Sequence, residues 1–369
     1  MKARDLGIPF EGTPGKHNSI TDVEGVLVGH STIIKGEGKL VVGKGPIRTG
    51  VTTVLPLGKT GDEVFASYFS FNGNGEMTGS NWLDETGHLK GPISITNTHS
   101  VGVVRDTVID WMLENELFRG NIFWGLPVVA ETYDGLLNDV NGFHITKSHI
   151  FESLDSAKSG EISEGNVGGG TGMMCHQFKG GIGTSSRVLE IKEFSYTLGA
   201  LVQSNYGLRK DLTISGVPVG IELKDILLPE VNLKSYDKST IGDQGSIIVI
   251  IATDAPLLPY QLKRIAKRVT SGLARVGGYG YNGSGDIFVA FSTGNILDSM
   301  NNETPLKNYN SLNDNLINPL FKATAEVTEE AIINALVNAK TMKGINDNTI
   351  HAIPQEKLIE LLKKYNRIQ

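Results

Sequence analysis

Residues Ile241 to Pro256 read IGDQGSIIVIIATDAP. A polar loop closes at Gly245-Ser246, and a continuous apolar run, Ile247 to Ala252, begins with no residue between. A short unbroken apolar run bounded by turn residues reads as a buried strand. It is far shorter than the ~20 residues a membrane-spanning helix needs. A lone serine stands at the mouth of that strand, directly after a glycine.

Further short β-like runs flank this one: Val26 to Val28, Val51 to Leu55, Ile93 to Thr96, Ile122 to Trp124 and Leu198 to Gln203. Glycines gather at the turns between them, 45 in 369 residues, well above the usual ~7%. They show no fixed period, which excludes collagen and solenoid repeats. Helical spacing of apolar residues predicts helices over 103–117, after Pro259 to about Ala274, over 323–337 and over 355–364. Strands and helices mix without a steady βαβ alternation. A layered α+β sandwich therefore fits better than a doubly wound dinucleotide fold. No Pro/Ser-rich linker divides the chain, so a single domain is expected, with the polar stretch 295–315 as a surface excursion.

The net charge of −6 argues against a nucleic-acid or anionic-membrane surface, which needs excess Lys and Arg. The single cysteine, Cys175, allows no intrachain disulfide and demands no oxidising compartment. The N-terminal residues carry no apolar signal-peptide core. A cytoplasmic protein is the expectation. Cys175 sits beside two methionines and reads as packing, although a lone thiol can also be a nucleophile.

Several motifs fail on context. Gly278-Tyr-Gly-Tyr-Asn-Gly283 has the dinucleotide spacing, but a helix precedes it and a strand follows, the reverse of what that fingerprint requires. Gly58-Lys59-Thr60 ends like a phosphate loop, yet Thr53 stands where its first glycine belongs. The eight histidines lack the spacing of a zinc enzyme, so no metal and no organic cofactor is expected, and His99 and His176 read as structural. Gly165 to Gly172 places five glycines in eight residues. It is compatible with an anion-binding nest, a narrow pocket or a tight turn, and the pocket is favoured because no Lys-Ser or Lys-Thr follows.

The junction Gly245-Ser246 remains. A serine hydroxyl is a poor nucleophile without a base. No histidine lies near it in sequence, although a distant one could reach it in space. Cutting the Gly245–Ser246 bond supplies another base: the α-amine of Ser246, whose unperturbed pKa of about 7.7 suits proton shuttling near neutrality. N-terminal nucleophile hydrolases use this solution. A glycine before the serine leaves the carbonyl open to attack, and a rigid strand after it holds the nucleophile. The dipeptide alone is common and carries little weight.

The surrounding residues carry more. GSIIVIIATDAPLLPYQLKRIAKR strongly resembles the start of the small subunit of the L-aminopeptidase D-amidase/D-esterase family, which includes the β-peptidyl aminopeptidases. NSITDVEGVLVGHSTI resembles the family's N-terminal region. PVVAETYDGLLND, GNVGGGTGM, FKGGIGTSSR, LVQSNYGLRKDLTISGVPVG and GSGDIFVAFSTGN resemble its site segments. These matches span roughly residues 5 to 295; the last ~70 are undistinguished.

The resemblance implies a four-layer αββα sandwich, autocatalytic cleavage into residues 1–245 and 246–369, and a homo-oligomer, a tetramer of processed pairs. Carried over by motif, Ser246 is nucleophile and new N-terminus, and Gly245 is the residue whose bond to it is cut. Asn205 is the oxyanion-binding amide, where the bare sequence suggests a turn residue before Gly207. Ser284 and Asp286 bond the nucleophile and its amine, where the bare sequence suggests a turn entering a strand. Some relatives carry Glu at the position of Asp286, one methylene longer. Glu131 and Tyr133 line the substrate site; a carboxylate there suits a substrate ammonium, and its bare-sequence alternative is a solvated loop acid. The expected activity is removal of the N-terminal residue from a small peptide, amide or ester. Two rivals remain: a self-processing acyltransferase, and a catalytically inactive binding protein. Ornithine acetyltransferases share the self-processing logic but cleave before threonine.

Overall fold

The structure is a computed structural model and describes residues 2–117, 124–232, 245–297 and 305–368. Ten strands build two sheets: β1 (Leu27–Lys35), β2 (Ile47–Lys59), β3 (Glu63–Gly73), β4 (His88–Lys90), β5 (Ile93–Asn97), β6 (Val128–Thr132), β7 (Gly181–Ile191), β8 (Phe194–Asn205), β9 (Ser246–Thr253) and β10 (Gly285–Leu297). The larger sheet has the order β4-β3-β10-β9-β8-β7, and the smaller β1-β2-β5-β6. Each sheet has one parallel pair, β9–β10 in the larger and β5–β6 in the smaller; the other pairs are antiparallel. A parallel pair needs a crossover. Helix α1 (Val101–Glu114) provides it between β5 and β6, and α3 (Pro259–Arg275) between β9 and β10.

The central strand explains the opening run. Every residue of β9 is buried. Ile247, Val249 and Ile251 face one way, into a core shared with α3 and α4 (Asn318–Asn338). Ile248, Ile250 and Ala252 face the other way, against Val54, Ile93, Ile95, Val128 and Ala130 of the second sheet. Side chains alternate along a strand, so a strand covered on both faces must be apolar at every position. Helices α1 and α2 (Lys147–Asp155) cover the far face of the second sheet, around the buried Trp111. The layers are helix, sheet, sheet, helix, as the resemblance implied.

The predicted helices are present with small shifts: 103–117 is observed as Val101–Glu114, 323–337 as Asn318–Asn338, and Gln355–Lys364 (α5) as expected. Of the run Ile122 to Trp124, the first two residues lie outside the described residues, and Trp124 is in no strand. Gly58-Lys59 forms the end of β2, not a loop.

The N-terminal segment is fastened to α4. Arg4 Nε lies 2.8 Å from Glu330 Oε1 on α4, and the Ala3 N–H donates to Asn334 Oδ1 at 2.7 Å. Arg187 of β7, fully buried, pairs with the same Glu330 at 2.7 Å. Such a pair is satisfied only while both strand and helix stay in place.

Candidate active site

Three strand ends of the larger sheet meet at one point. Ser246 opens β9 and is paired with Asn205, the last residue of β8. On its other side it is paired with Gly285, the first residue of β10, and Ile247 with Asp286. Because β9 and β10 are parallel, both begin here while β8 ends here. That topology brings residues 205, 246 and 284–286 together from distant parts of the chain. β3 closes the edge: the Asn72 Nδ2 donates to the carbonyls of Tyr281 (2.7 Å) and Ser284 (2.6 Å), which fixes the turn leading into β10.

Ser246 is buried, and its Oγ accepts a hydrogen bond from the Gly285 N–H at 3.2 Å. The same N–H donates to the Gly245 carbonyl, also at 3.2 Å. One donor therefore faces both the hydroxyl and the carbonyl that precedes it. Gly245 has a second steric reason: a Cβ there would lie 2.1 Å from the Asn205 carbonyl oxygen. Among the described residues no histidine ring hydrogen-bonds Ser246. His176 is buried, with Nδ1 3.0 Å from the Leu208 carbonyl oxygen, and burial pulls it down to about 4. His99 is exposed, its ring stacked on Phe143.

Ser284 Oγ donates to Asp286 Oδ1 at 2.6 Å, both side chains buried. Burial pushes the Asp286 carboxyl up to about 6, against the hydrogen bonds from Ser284 and the Ile247 backbone, which favour the carboxylate. Asn205 is fixed from both ends of its amide: Oδ1 accepts from the Met174 N–H (2.8 Å), and Nδ2 donates to the Tyr133 carbonyl (3.0 Å). One Nδ2 proton then remains for another acceptor, since a primary amide carries two.

The second sheet delivers Glu131, near the end of β6, to the same place. Glu131 is a buried strand residue, not a solvated loop acid. Its carboxylate accepts from the Thr98 hydroxyl and from the Glu76 N–H at 3.0 Å. Burial raises its pKa; those two bonds and the nearby His99 oppose the rise. Gly75 measures its nearness to Gly285, the strand partner of Ser246: a Cβ there would lie 3.2 Å from Glu131 Oε1 and 3.3 Å from Gly285 Cα. Tyr133, 38% exposed, follows on the rim. Thr98, Gly75, Gly285 and Met174 were not singled out from sequence; Thr98 acts through its hydroxyl and the other three through their backbone, contacts that no local motif announces.

The glycine-rich segment is neither pocket nor nest. The amides of Gly168 and Gly169 donate to the hydroxyls of Thr32 (2.8 Å) and Thr52 (3.1 Å), and that of Gly170 to the Val167 carbonyl (2.9 Å). A Cβ at Gly169 would lie 2.1 Å from Gln203 Oε1, and one at Gly170 2.5 Å from the Ile182 nitrogen. The expected pocket is overturned because this backbone is wedged between the sheets, its donors already used. Cys175 is buried, accepts from Ser204 Oγ at 2.9 Å, and is pushed up to about 12 by burial. It is no nucleophile.

A fold of this layering, with a serine opening its central strand, defines a serine hydrolase of the N-terminal-nucleophile type. The chain belongs to peptidase family S58, whose model matches residues 18–350, and it is an aminopeptidase. It is 51% identical to the β-peptidyl aminopeptidase BapA of Sphingosinicella microcystinivorans, over 100% of this chain and 93% of that protein. Among solved structures it is similar to the L-aminopeptidase D-Ala-esterase/amidase of Ochrobactrum anthropi, described as a prototype for the serine aminopeptidases and a new variant of the Ntn hydrolase fold. The TM-score is 0.91 and the identity 43%, over 100% of this chain and 99% of that one. It is equally similar to a β-aminopeptidase from a Burkholderia species (TM-score 0.89, 44% identity, 99% of each chain). Among the described residues no helix is long and apolar enough to cross a membrane.

Proposed function

We propose that the chain cuts itself before Ser246 and then uses that residue, with its new α-amine, to remove the N-terminal residue from small peptides, amides and esters. The observation that carries the reading is the Gly285 N–H shared between Ser246 Oγ and the Gly245 carbonyl. In the first reaction Ser246 Oγ attacks the Gly245 carbonyl carbon. The amide C–N bond breaks, an ester forms, and the nitrogen leaves as the α-amine. Water then hydrolyses the ester to the Gly245 carboxylate and the free hydroxyl of Ser246, now the first residue of its piece. The Gly285 N–H already faces the oxygen that becomes negative, which is the geometry oxyanion stabilisation requires.

In turnover the amine takes the Ser246 hydroxyl proton as Oγ attacks the substrate carbonyl. The free Nδ2 proton of Asn205 and the Gly285 N–H receive the oxyanion. The amine passes its proton to the leaving group, and water, deprotonated by the same amine, releases the acyl group. Ser284 and Asp286 hold the amine. Glu131 binds the substrate ammonium, its carboxylate fixed in advance by Thr98 and Glu76, with Tyr133 beside it. The likeness to two β-aminopeptidases supports N-terminal β-residues among the substrates. The same reading includes a homo-oligomer of processed pairs working in the cytoplasm without metal or organic cofactor.

Ser246→Ala tests this. The variant should remain one chain and show no hydrolysis of aminoacyl p-nitroanilides. Turnover at the wild-type rate in that variant would remove Ser246 from the mechanism.

A further inference from the structure

Lys179 is the one lysine among the described residues that is fully buried. No carboxylate lies within ion-pair distance of it among them. Burial without a counter-ion is costly for an amine, and it pulls this one down to about 7. Its partners are all backbone carbonyls: Met173 at 2.8 Å, Gly180 at 2.9 Å and Gly170 at 3.3 Å. A lysine that recruits three carbonyls from one loop fixes the shape of that loop.

The loop is the one that aims Asn205. Lys179 and Met174 are partners in a two-stranded hairpin, Met174–Cys175 with Phe178–Lys179. The Gly180 N–H donates back to the Met173 carbonyl at 2.9 Å. The next N–H along, that of Met174, is the donor to Asn205 Oδ1. The Lys179 amino group, the Met173–Met174 peptide and the Asn205 amide are thus consecutive links. Asp134 flanks the same loop: a Cβ on Gly172 would lie 2.8 Å from its Cβ. It directly follows Tyr133, whose carbonyl takes the other end of the amide.

We propose that Lys179 is a positioning residue for the oxyanion amide: it fixes the 170–174 turn so that the Met174 N–H orients Asn205 and leaves its second Nδ2 proton pointing at the reacting carbonyl. The inference rests on the reading of Asn205 as the oxyanion donor. An oxyanion donor acts in the transition state rather than in substrate binding, so a misaimed one lowers kcat and leaves KM nearly unchanged.

The test is Lys179→Met, which keeps the unbranched chain up to its last atom and removes the donors. Kinetics on a p-nitroanilide are normalised to the cleaved fraction read by mass spectrometry. Loss of one oxyanion donor typically lowers kcat by ~10²–10³-fold; Lys179→Met should lower it at least about tenfold, with KM within about twofold. In an Asn205→Ala background the same substitution should add less than about twofold, because the amide it positions is gone. A merely structural lysine would give additive losses and a shifted KM, and that result overturns the proposal. A second measurement needs no turnover. In crystals of the uncut Ser246→Ala protein, adding Lys179→Met should break the 2.8 Å contact between the Met174 nitrogen and Asn205 Oδ1; an intact contact overturns the proposal. Failure of the underlying reading looks different: wild-type protein uncut before Ser246, or Asn205→Ala with unchanged kcat.

Discussion

In the proposed mechanism Ser246 and Asp286 govern how the site responds to protons. The amine freed from Ser246 must be neutral to act as base, and its unperturbed pKa is about 7.7. Asp286 must be a carboxylate to stabilise the amine once that amine has taken the hydroxyl proton, and burial has pushed it up to about 6. Both groups gain a proton as pH falls, and both protons oppose turnover. The logarithm of kcat/KM should therefore fall with a slope of one below the amine pKa, steepening toward two below about pH 6. Asp286→Asn removes the second titration, so its acid limb should keep a slope of one. A wild-type slope that stays at one throughout would detach Asp286 from catalysis. At this scale the sequence was informative in one place. Gly245-Ser246 stands out because a turn glycine and a hydroxyl meet a buried strand with nothing between. Asn205 did not stand out from local pattern, since an asparagine two residues before a glycine reads as a turn.

At the scale of elements, β9 carries most of the site's rigidity. Its inward residues bury themselves in two separate cores, with Ile250 fully buried between the sheets. Truncating such a side chain leaves a cavity that flanking layers cannot fill, at about 2–5 kcal/mol. Ile250→Ala, introduced into uncut Ser246→Ala protein, should lower the unfolding free energy by that amount, read as a lower denaturation midpoint at an unchanged denaturant slope. A change under about 1 kcal/mol would mean the sheets are less closely packed than described.

The run Ile247 to Ala252 was legible as a strand because total burial leaves one signature, unbroken hydrophobicity. Helix α4 was legible as a helix but not as central: Thr324, Thr328, Glu330 and Asn334 interrupt its apolar pattern, yet all are buried. Glu330 and Asn334 find their partners, Arg187 and Ala3, far away in sequence, whereas the hydroxyls of Thr324 and Thr328 donate to carbonyls one turn back in the helix. The glycine run was misread for a related reason. Glycines that line a pocket and glycines that let two sheets approach look alike until the neighbouring backbone is known. Glu131 and Lys179 belong with these, since burial is a property of the fold and not of the tetrad around them.

Taken as a whole, the molecule is interlaced across the proposed cut. Residues after Ser246 supply β9 and β10, the two middle strands of the larger sheet, and both helices on its outer face. Residues before it supply β3 and β8 on either side, and the entire second sheet. Neither part has a complete core alone, so the two should stay together after cleavage until a denaturant separates them. The order of layers was readable only coarsely from sequence, because the strand sequence of the sheets, β4-β3-β10-β9-β8-β7, depends on pairings between residues as distant as Ser67 and Ala290.

The central claim is that the Gly245–Ser246 bond is the one the protein breaks. The most direct measurement is the intact mass of freshly purified protein under denaturing conditions. The account predicts two species of 245 and 124 residues that together make up the 369-residue chain plus one water, the smaller beginning at Ser246. A single species at 39.8 kDa from protein that nevertheless hydrolyses aminoacyl substrates would contradict it.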